Sequence, residues 1–502
     1  MNYLKKHFLF IIIIISGTLA LLRFNSLQIG TSYDDAHYII LAESLASGQG
    51  YELINFPRPQ AERAFPPGFP LLLTPLTFLF PNNYSILKIF SLVLWLSSIY
   101  LIYKLFSKRL ASPYLEVLVA LVTLNPLLIG TSVTVMSESA YLFFSLLALY
   151  LFDKWENAES QKQTWLIVLI SIFIFYTQLI RTIGIALFIA FVIYLLFTRR
   201  FRELTISVIV FLIGTIIQRF ITGSLISSGY QSQVFNSSIP EKIGQVWSNI
   251  IGYYNEVISS SLIPIFGSRL DSILENYSLG FIPLIFNIII LFLIAFGIFK
   301  TKPKLEWLHI YFVIYVCGIL AFWNPNVGSV KARFLIPILP FLYFYFLNGI
   351  NFFIEKFPQS NRVVVTLAIL ISIPLFARNI QDVINPVKNQ ITDLSIGANW
   401  VAENSPADSI VMVNEPVPAY LHVQRKTINF PKQNQDLIRY LDNQEIDYII
   451  ISPLLQSPRS LDLDPFIQNE VLPVLESNPD LFTLVYENKE HNVFVYQYNS
   501  GN

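Results

Sequence analysis

Tyr33-Asp34-Asp35-Ala36-His37-Tyr38, standing just beyond the apolar run 8–22, is the stretch on which the fold of this chain turns. The run is a first hydrophobic span, so the two adjacent carboxylates fall at a lipid–water boundary. Asp is among the residues most costly to place near hydrocarbon, and a pair there needs either full hydration or a task. Composition supplies the context. With 502 residues, 54% hydrophobic and only 13% charged, and a mean hydropathy of +0.55, the chain is excluded from the soluble globular class and reads as a polytopic α-helical membrane protein.

Apolar runs long enough to cross about 30 Å of hydrocarbon recur along the sequence. They predict eleven spans, near 7–23, 84–106, 114–130, 138–152, 164–180, 183–198, 204–222, 279–299, 307–323, 334–353 and 362–378. The basic end Lys5-Lys6 suits a retained first helix with its N-terminus inside, rather than a cleaved signal. An inside start then sends Lys104/Lys108/Arg109, Lys154/Lys162, Arg199/Arg200/Arg202, Lys300/Lys302/Lys304 and Lys356/Arg362 to the cytoplasm, as the positive-inside rule requires. The run 67–80 would invert this order if it crossed. It is expected instead to be a short or re-entrant segment at the outer surface, interrupted by Pro70 and Pro75. The outer face then carries the loop 24–66, the connection 131–137, a long loop 223–278, Arg181, the segment 324–333 and the tail. Long loops on one side place function outside.

The tail differs in grammar and in charge. Residues 1–379 carry 26 Lys and Arg against 17 Asp and Glu, whereas 380–502 carry 7 against 16. Apolar runs of strand length at 409–413, 448–451 and 492–496 alternate with helical stretches 393–403 and 433–443, the pattern of a small α/β domain. The expected division is therefore a membrane domain over 1–379 and an extracytoplasmic domain over 380–502. The single cysteine, Cys317, lies in an apolar run and reads as a small buried hydrophobe. No Gly-rich or Walker motif is present, so nucleotide binding is unsupported, and nothing points to nucleic acid.

Each candidate residue has a bland and a functional reading. Adjacent side chains diverge, so Asp34 and Asp35 are expected to have separate tasks: Asp35 an N-cap of the helix starting near Ala36, Asp34 a general base. His37, three residues on, could serve as a relay or a metal ligand. His7, His309 and His422 lie near the inner surface or in the tail, with no paired-histidine motif. Arg58 and Arg63 flank a rigid corner, Phe65-Pro66-Pro67-Gly68-Phe69-Pro70; their planar forks suit a phosphate, while headgroup contact is the bland alternative. Arg181, Lys331 and Arg333 add cations to the outer face against the usual trend. Glu138 opens a span, where it suits the helix N-terminus, and could face Asp34 as a metal ligand or acceptor-orienting group.

The order of these motifs resembles that of the GT-C membrane glycosyltransferases: Asp34-Asp35 after the first span, Phe65-Pro66-Pro67-Gly68-Phe69-Pro70 before the second, Ser137-Glu138 opening the fourth, Arg181 after the fifth, and Arg333-Phe334-Leu335-Ile336-Pro337-Ile338-Leu339-Pro340 late in the chain. The similarity is to the branch of protein O-mannosyltransferases and of bacterial transferases adding aminoarabinose to lipid A. It covers nearly the whole membrane part.

The resemblance implies transfer of a sugar, with inversion, from a polyprenyl-phosphate carrier to an acceptor hydroxyl on an envelope glycan, lipid or protein. The setting would be the outer face of a bacterial inner membrane. Asp34 matches the family's first-loop acid and would be the base; Asp35 stands where close relatives often have Glu. Arg63, Arg181, Lys331 and Arg333 would meet the carrier phosphate. His37, Tyr38, Arg58 and Glu138 would position substrate or acceptor. Aromatic residues such as Tyr33, Tyr38, Phe65 and Phe69 read first as an interfacial belt and second as packing for sugar or isoprenoid. No cofactor is required, although Asp34, Asp35, Glu138 and His37 are compatible with a divalent metal. A flippase of lipid-linked saccharides is the alternative; it predicts ionisable residues near helix midplanes and repeat-related halves. An envelope assembly or adhesion protein would account for the tail but not for the first-loop motifs.

Overall fold

The computed structural model describes residues 2–62, 64–156, 160–223, 238–263, 281–301, 306–323, 330–357, 359–386, 392–432, 436–453 and 461–499. Contacts divide them into two compact units: Met1–Phe24, Arg63–Phe69 and Lys88–Ile384 form the first, and Asn25–Glu62, Pro70–Leu87 and Asn385–Asn502 the second. The chain passes between the units near the composition break at 380, and residues 25–62 fall in the same unit as the tail.

Helices occupy the described residues of each predicted span. Among the described residues, six helices are long and apolar enough to cross a membrane, seven if a bent pair counts as one span. The bent pair corrects the continuous span 114–130: Tyr114–Thr123 and Pro126–Ser132 meet at 53°. Pro126 lacks the N–H that would continue the helix, and the Asn125 side chain caps the new one by accepting from Leu127 N at 3.0 Å. Gly68–Leu79 is one unbroken 12-residue helix, at 1.5 Å per residue too short to span. Pro70 and Pro75 do not interrupt it. Pro70 lies in the first turn, where no amide partner is needed. The expected outer loop 223–278 also holds more structure than predicted. Ile239–Gly252 is helical, started by a capping box between Ser238 and Glu241, a signal present in the sequence as Ser-x-x-Glu.

In the first unit, the helix Phe201–Thr222 turns Ile209, Leu212, Ile213, Ile216, Ile217 and Phe220 outward, a surface suited to hydrocarbon rather than water. The segment Ala332–Ile354 is instead largely buried, with Phe341, Tyr343 and Tyr345 wholly enclosed. Glycines bring helices into backbone contact. A Cβ on Gly297 would collide with the Tyr345 carbonyl oxygen, and one on Gly349 with that of Leu293. Small residues let membrane helices approach this closely. At the end of the first helix, buried Arg23 pairs with Asp382 at 2.9 Å and donates to Asn379 Oδ1 at 2.8 Å and to the Pro126 carbonyl at 2.9 Å. That cluster fixes the bent pair to the helix Ser360–Ile384.

In the second unit, a five-stranded sheet has the order β4-β3-β5-β7-β6. The strands are β3 (Ile410–Val413), β4 (Lys426–Ile428), β5 (Tyr448–Ile451), β6 (Phe482–Asn488) and β7 (Val493–Tyr498); a small antiparallel pair, β1 (Glu52–Leu53) and β2 (Gln60–Ala61), precedes them. β3 is parallel to β4 and β5, while β7 is antiparallel to its neighbours. Side chains alternate between the faces: Met412, Ile449 and Ile451 join one core, Val411, Val413 and Ile450 the other. The loop after the first helix contains a buried helix, Asp34–Ala46, in which Ala36, Ile39, Ile40, Leu41 and Ala42 are fully enclosed.

Candidate active site

Asp34 and Asp35 open the helix Asp34–Ala46, where negative charge suits the helix N-terminus. Tyr33 occupies the N-cap with φ 61° and ψ −49°, a strained setting for a bulky residue. His37 supports it: Nδ1 donates to the Tyr33 carbonyl at 3.1 Å, and the two rings lie 5.1 Å apart. The strain turns the chain sharply, and the Asp34 amide donates to the Ser32 carbonyl at 2.7 Å. Asp34 is left partly exposed, whereas Asp35 is 1% exposed.

The expected N-cap role of Asp35 is replaced by a different one. Its Oδ2 accepts from Gly30 N at 2.8 Å and its Oδ1 from Ala36 N at 3.0 Å, so it ties the preceding loop to the helix. Gly30 has φ 90°, which favours glycine there. Burial raises the Asp35 pKa to about 6 against the opposing pull of the amide bonds. Tyr38 is buried in the same helix and Arg58 is exposed between β1 and β2. Arg63 lies outside the described residues.

In the first unit a second cluster forms. The helix Ser160–Ile180 ends, Arg181 is extended, and a 3₁₀ turn Thr182–Gly184 follows. The turn is tight: a Cβ on Gly184 would meet the Thr177 backbone at 2.5 Å. Arg181 Nη1 thereby reaches Glu138 Oε1 at 2.5 Å and donates to Ser137 Oγ at 3.2 Å. Glu138 is fully buried in the first turn of Ser137–Trp155. Arg333 Nε lies 3.9 Å from the same carboxylate oxygen. Both guanidiniums sit against Phe334, at 5.8 and 5.5 Å, and Tyr315 donates to the Phe334 carbonyl at 2.9 Å.

One buried carboxylate therefore organises two partly exposed arginines. Glu138 does not act as an N-cap, which falls to Met136. Lys331 is exposed just before the 3₁₀ segment Ala332–Ile338; among the described residues, the ion pairs of Glu138 are with the arginines alone. Sequence reasoning missed Ser137, Phe334 and Tyr315 as parts of this cluster. The first two sit beside residues already singled out, and only packing gives them their roles. Among the described residues no three or more His, Cys, Asp or Glu side chains are grouped to hold a metal ion.

A polytopic helical bundle with a buried carboxylate–arginine cluster, and a strained Asp turn packed with an α/β tail, define the class of protein in hand. By sequence, no family model and no curated protein matches the chain. By structure, ArnT from Cupriavidus metallidurans bound to undecaprenyl phosphate matches at TM-score 0.58 and 10% identity, covering 98% of this chain and 98% of that one. The oligosaccharyltransferase of Archaeoglobus fulgidus, tethered with an acceptor peptide, matches at TM-score 0.56 and 12% identity, covering 90% of this chain and 70% of that one. The chain shares the fold of these two proteins.

Proposed function

We propose that the protein is an inverting glycosyltransferase that moves a sugar from a polyprenyl-phosphate carrier to an acceptor hydroxyl on an envelope glycan, lipid or protein. The proposed setting is the outer face of a bacterial inner membrane, with the N-terminus cytoplasmic and the tail extracytoplasmic. The observation that carries this reading is the pair Arg181 and Arg333 held by buried Glu138, in a chain whose fold is shared with ArnT bound to undecaprenyl phosphate.

The chemistry follows from charge. Asp34 takes the proton of the acceptor hydroxyl as its oxygen attacks the anomeric carbon. The bond from that carbon to the phosphate oxygen breaks, and the carrier leaves as a phosphomonoester. Its phosphate gains negative charge in the transition state, where pre-oriented guanidiniums stabilise it most. Arg181 and Arg333 are assigned that role, and Glu138 keeps them oriented. Asp35 holds the turn on which Asp34 is carried.

The test is release of polyprenyl phosphate from a panel of polyprenyl-phosphate sugars by purified protein in nanodiscs, with envelope extract as acceptor. Release by wild type that falls about 10²- to 10⁴-fold in Asp34→Asn, the range of a general base, with unchanged thermal unfolding, is the expected result. No release from any donor despite carrier binding would favour a flippase instead.

A further inference from the structure

The tail's contribution to a transferase is written in its contacts with the first outer loop, all within the second unit. The peptide joining Ile29 and Gly30 is gripped at both ends. Its N–H donates to Asp35 Oδ2 at 2.8 Å, and its carbonyl accepts from His422 Nε2 at 3.2 Å. A peptide unit is planar and stiff, so a hold on its oxygen fixes its N–H as well. The two hydrogen bonds polarise it in the same sense. His422 belongs to the helix Pro416–Val423, which packs on Asp34–Ala46.

The other flank of that helix is held by the strand that follows. Lys426 Nζ donates to the Ile54 carbonyl at 2.6 Å, and the Thr427 amide donates to the Asn55 carbonyl at 2.7 Å. Asn55 and Thr427 are both fully buried, and Thr427 Oγ1 donates onward to the Pro416 carbonyl at 2.7 Å. A short segment of the tail, 416–428, thus grips the first loop before and after the helix that carries Asp34.

We infer that His422 is a positioning residue: through the Ile29–Gly30 peptide and Asp35 it fixes the turn that presents Asp34, making the tail the scaffold of the catalytic loop. This rests on the transferase reading for its consequence in turnover, but the clasp itself can be measured without activity. Burial lowers the His422 pKa, which keeps the ring neutral near pH 7, with the Nε2 proton available for the Ile29 carbonyl.

The experiment compares full-length wild type, His422→Leu and His422→Gln in nanodiscs. Gln keeps an N–H donor at similar reach and Leu removes it. Hydrogen–deuterium exchange over 28–36 should rise about two- to tenfold in the Leu variant, as expected for one hydrogen bond, and return towards wild type with Gln. Donor turnover should follow the same order, with kcat falling about tenfold or more in Leu at unchanged KM, because misplacement of a reacting group costs rate rather than binding. Exchange over 28–36 that is the same in Leu as in wild type, or equally raised in Gln and Leu, overturns the inference. Should the Leu variant not fold, Lys426→Met takes its place: raised exchange over 51–56 with lowered kcat at unchanged KM is expected, and unchanged exchange overturns the scaffold. If wild type releases no carrier phosphate, the transferase reading fails, and the exchange measurements still decide whether His422 holds the turn.

Discussion

Glu138→Gln is the perturbation that bears most directly on the arginine cluster. Gln preserves shape but removes the charge that Arg181 meets at 2.5 Å and Arg333 at 3.9 Å. A hydrogen-bonded charged contact contributes about 1.5–3 kcal/mol, and at about 1.4 kcal/mol per decade this predicts a fall in turnover of about ten- to 150-fold. Stability should fall as well. Removing one partner of a buried pair costs about 3–5 kcal/mol, but the Arg181 side chain retains 15% exposure and the Ser137 contact, so the loss belongs at or below the lower end. Polyprenyl-phosphate release and thermal unfolding in nanodiscs would be measured together, beside Arg181→Gln and the double variant. In the double variant the losses should be far from additive, because each single change breaks the same pair. Full activity in Glu138→Gln with unchanged unfolding, or strictly additive losses, would refute the idea that this carboxylate orients the arginines.

The remaining expectations are briefer. Gly349→Val should destabilise the bundle by about 1–3 kcal/mol or more, since the added Cβ would collide with the Leu293 carbonyl oxygen; wild-type thermal unfolding of this variant would contradict the packing. Asp35, with a folded pKa of about 6 against an ordinary 3.8, binds a proton more tightly folded than unfolded. Its contribution to stability is therefore lost as pH rises from about 4 to about 6, a change on the order of 3 kcal/mol. Glu43, raised by burial to about 7, acts in the same direction. Unfolding followed from pH 4 to 7.5 should show a weaker pH dependence in Asp35→Asn than in wild type, and parallel profiles would sink this assignment.

Some of this was determined by the sequence alone. Hydropathy is a local property, so the helical membrane class could be read from runs of apolar residues. Short continuous apolar runs between helical stretches marked the tail's strands from windows of four or five residues. The adjacent acids Asp34 and Asp35 drew attention in the sequence, because two carboxylates at a span's edge are conspicuous without any tertiary knowledge. The break at Asn125-Pro126 and the capping box at Ser238 were legible as motifs, yet long apolar runs and loop length spoke more strongly in a linear reading.

What joined the parts was visible only after packing. Glu138, Arg181 and Arg333 are separated by 43 and then 152 positions in the chain; a tight glycine-dependent turn and helix packing bring them to one carboxylate. The different fates of Asp34 and Asp35 depended on where the Gly30 amide fell. His422, set aside in the sequence as a tail histidine, meets Ile29 across 393 positions. The physical reason is common to all three. Periodicity fixes which face of an element is apolar, but a buried charge or donor takes its meaning from the partner that satisfies it, and that partner is chosen by the fold.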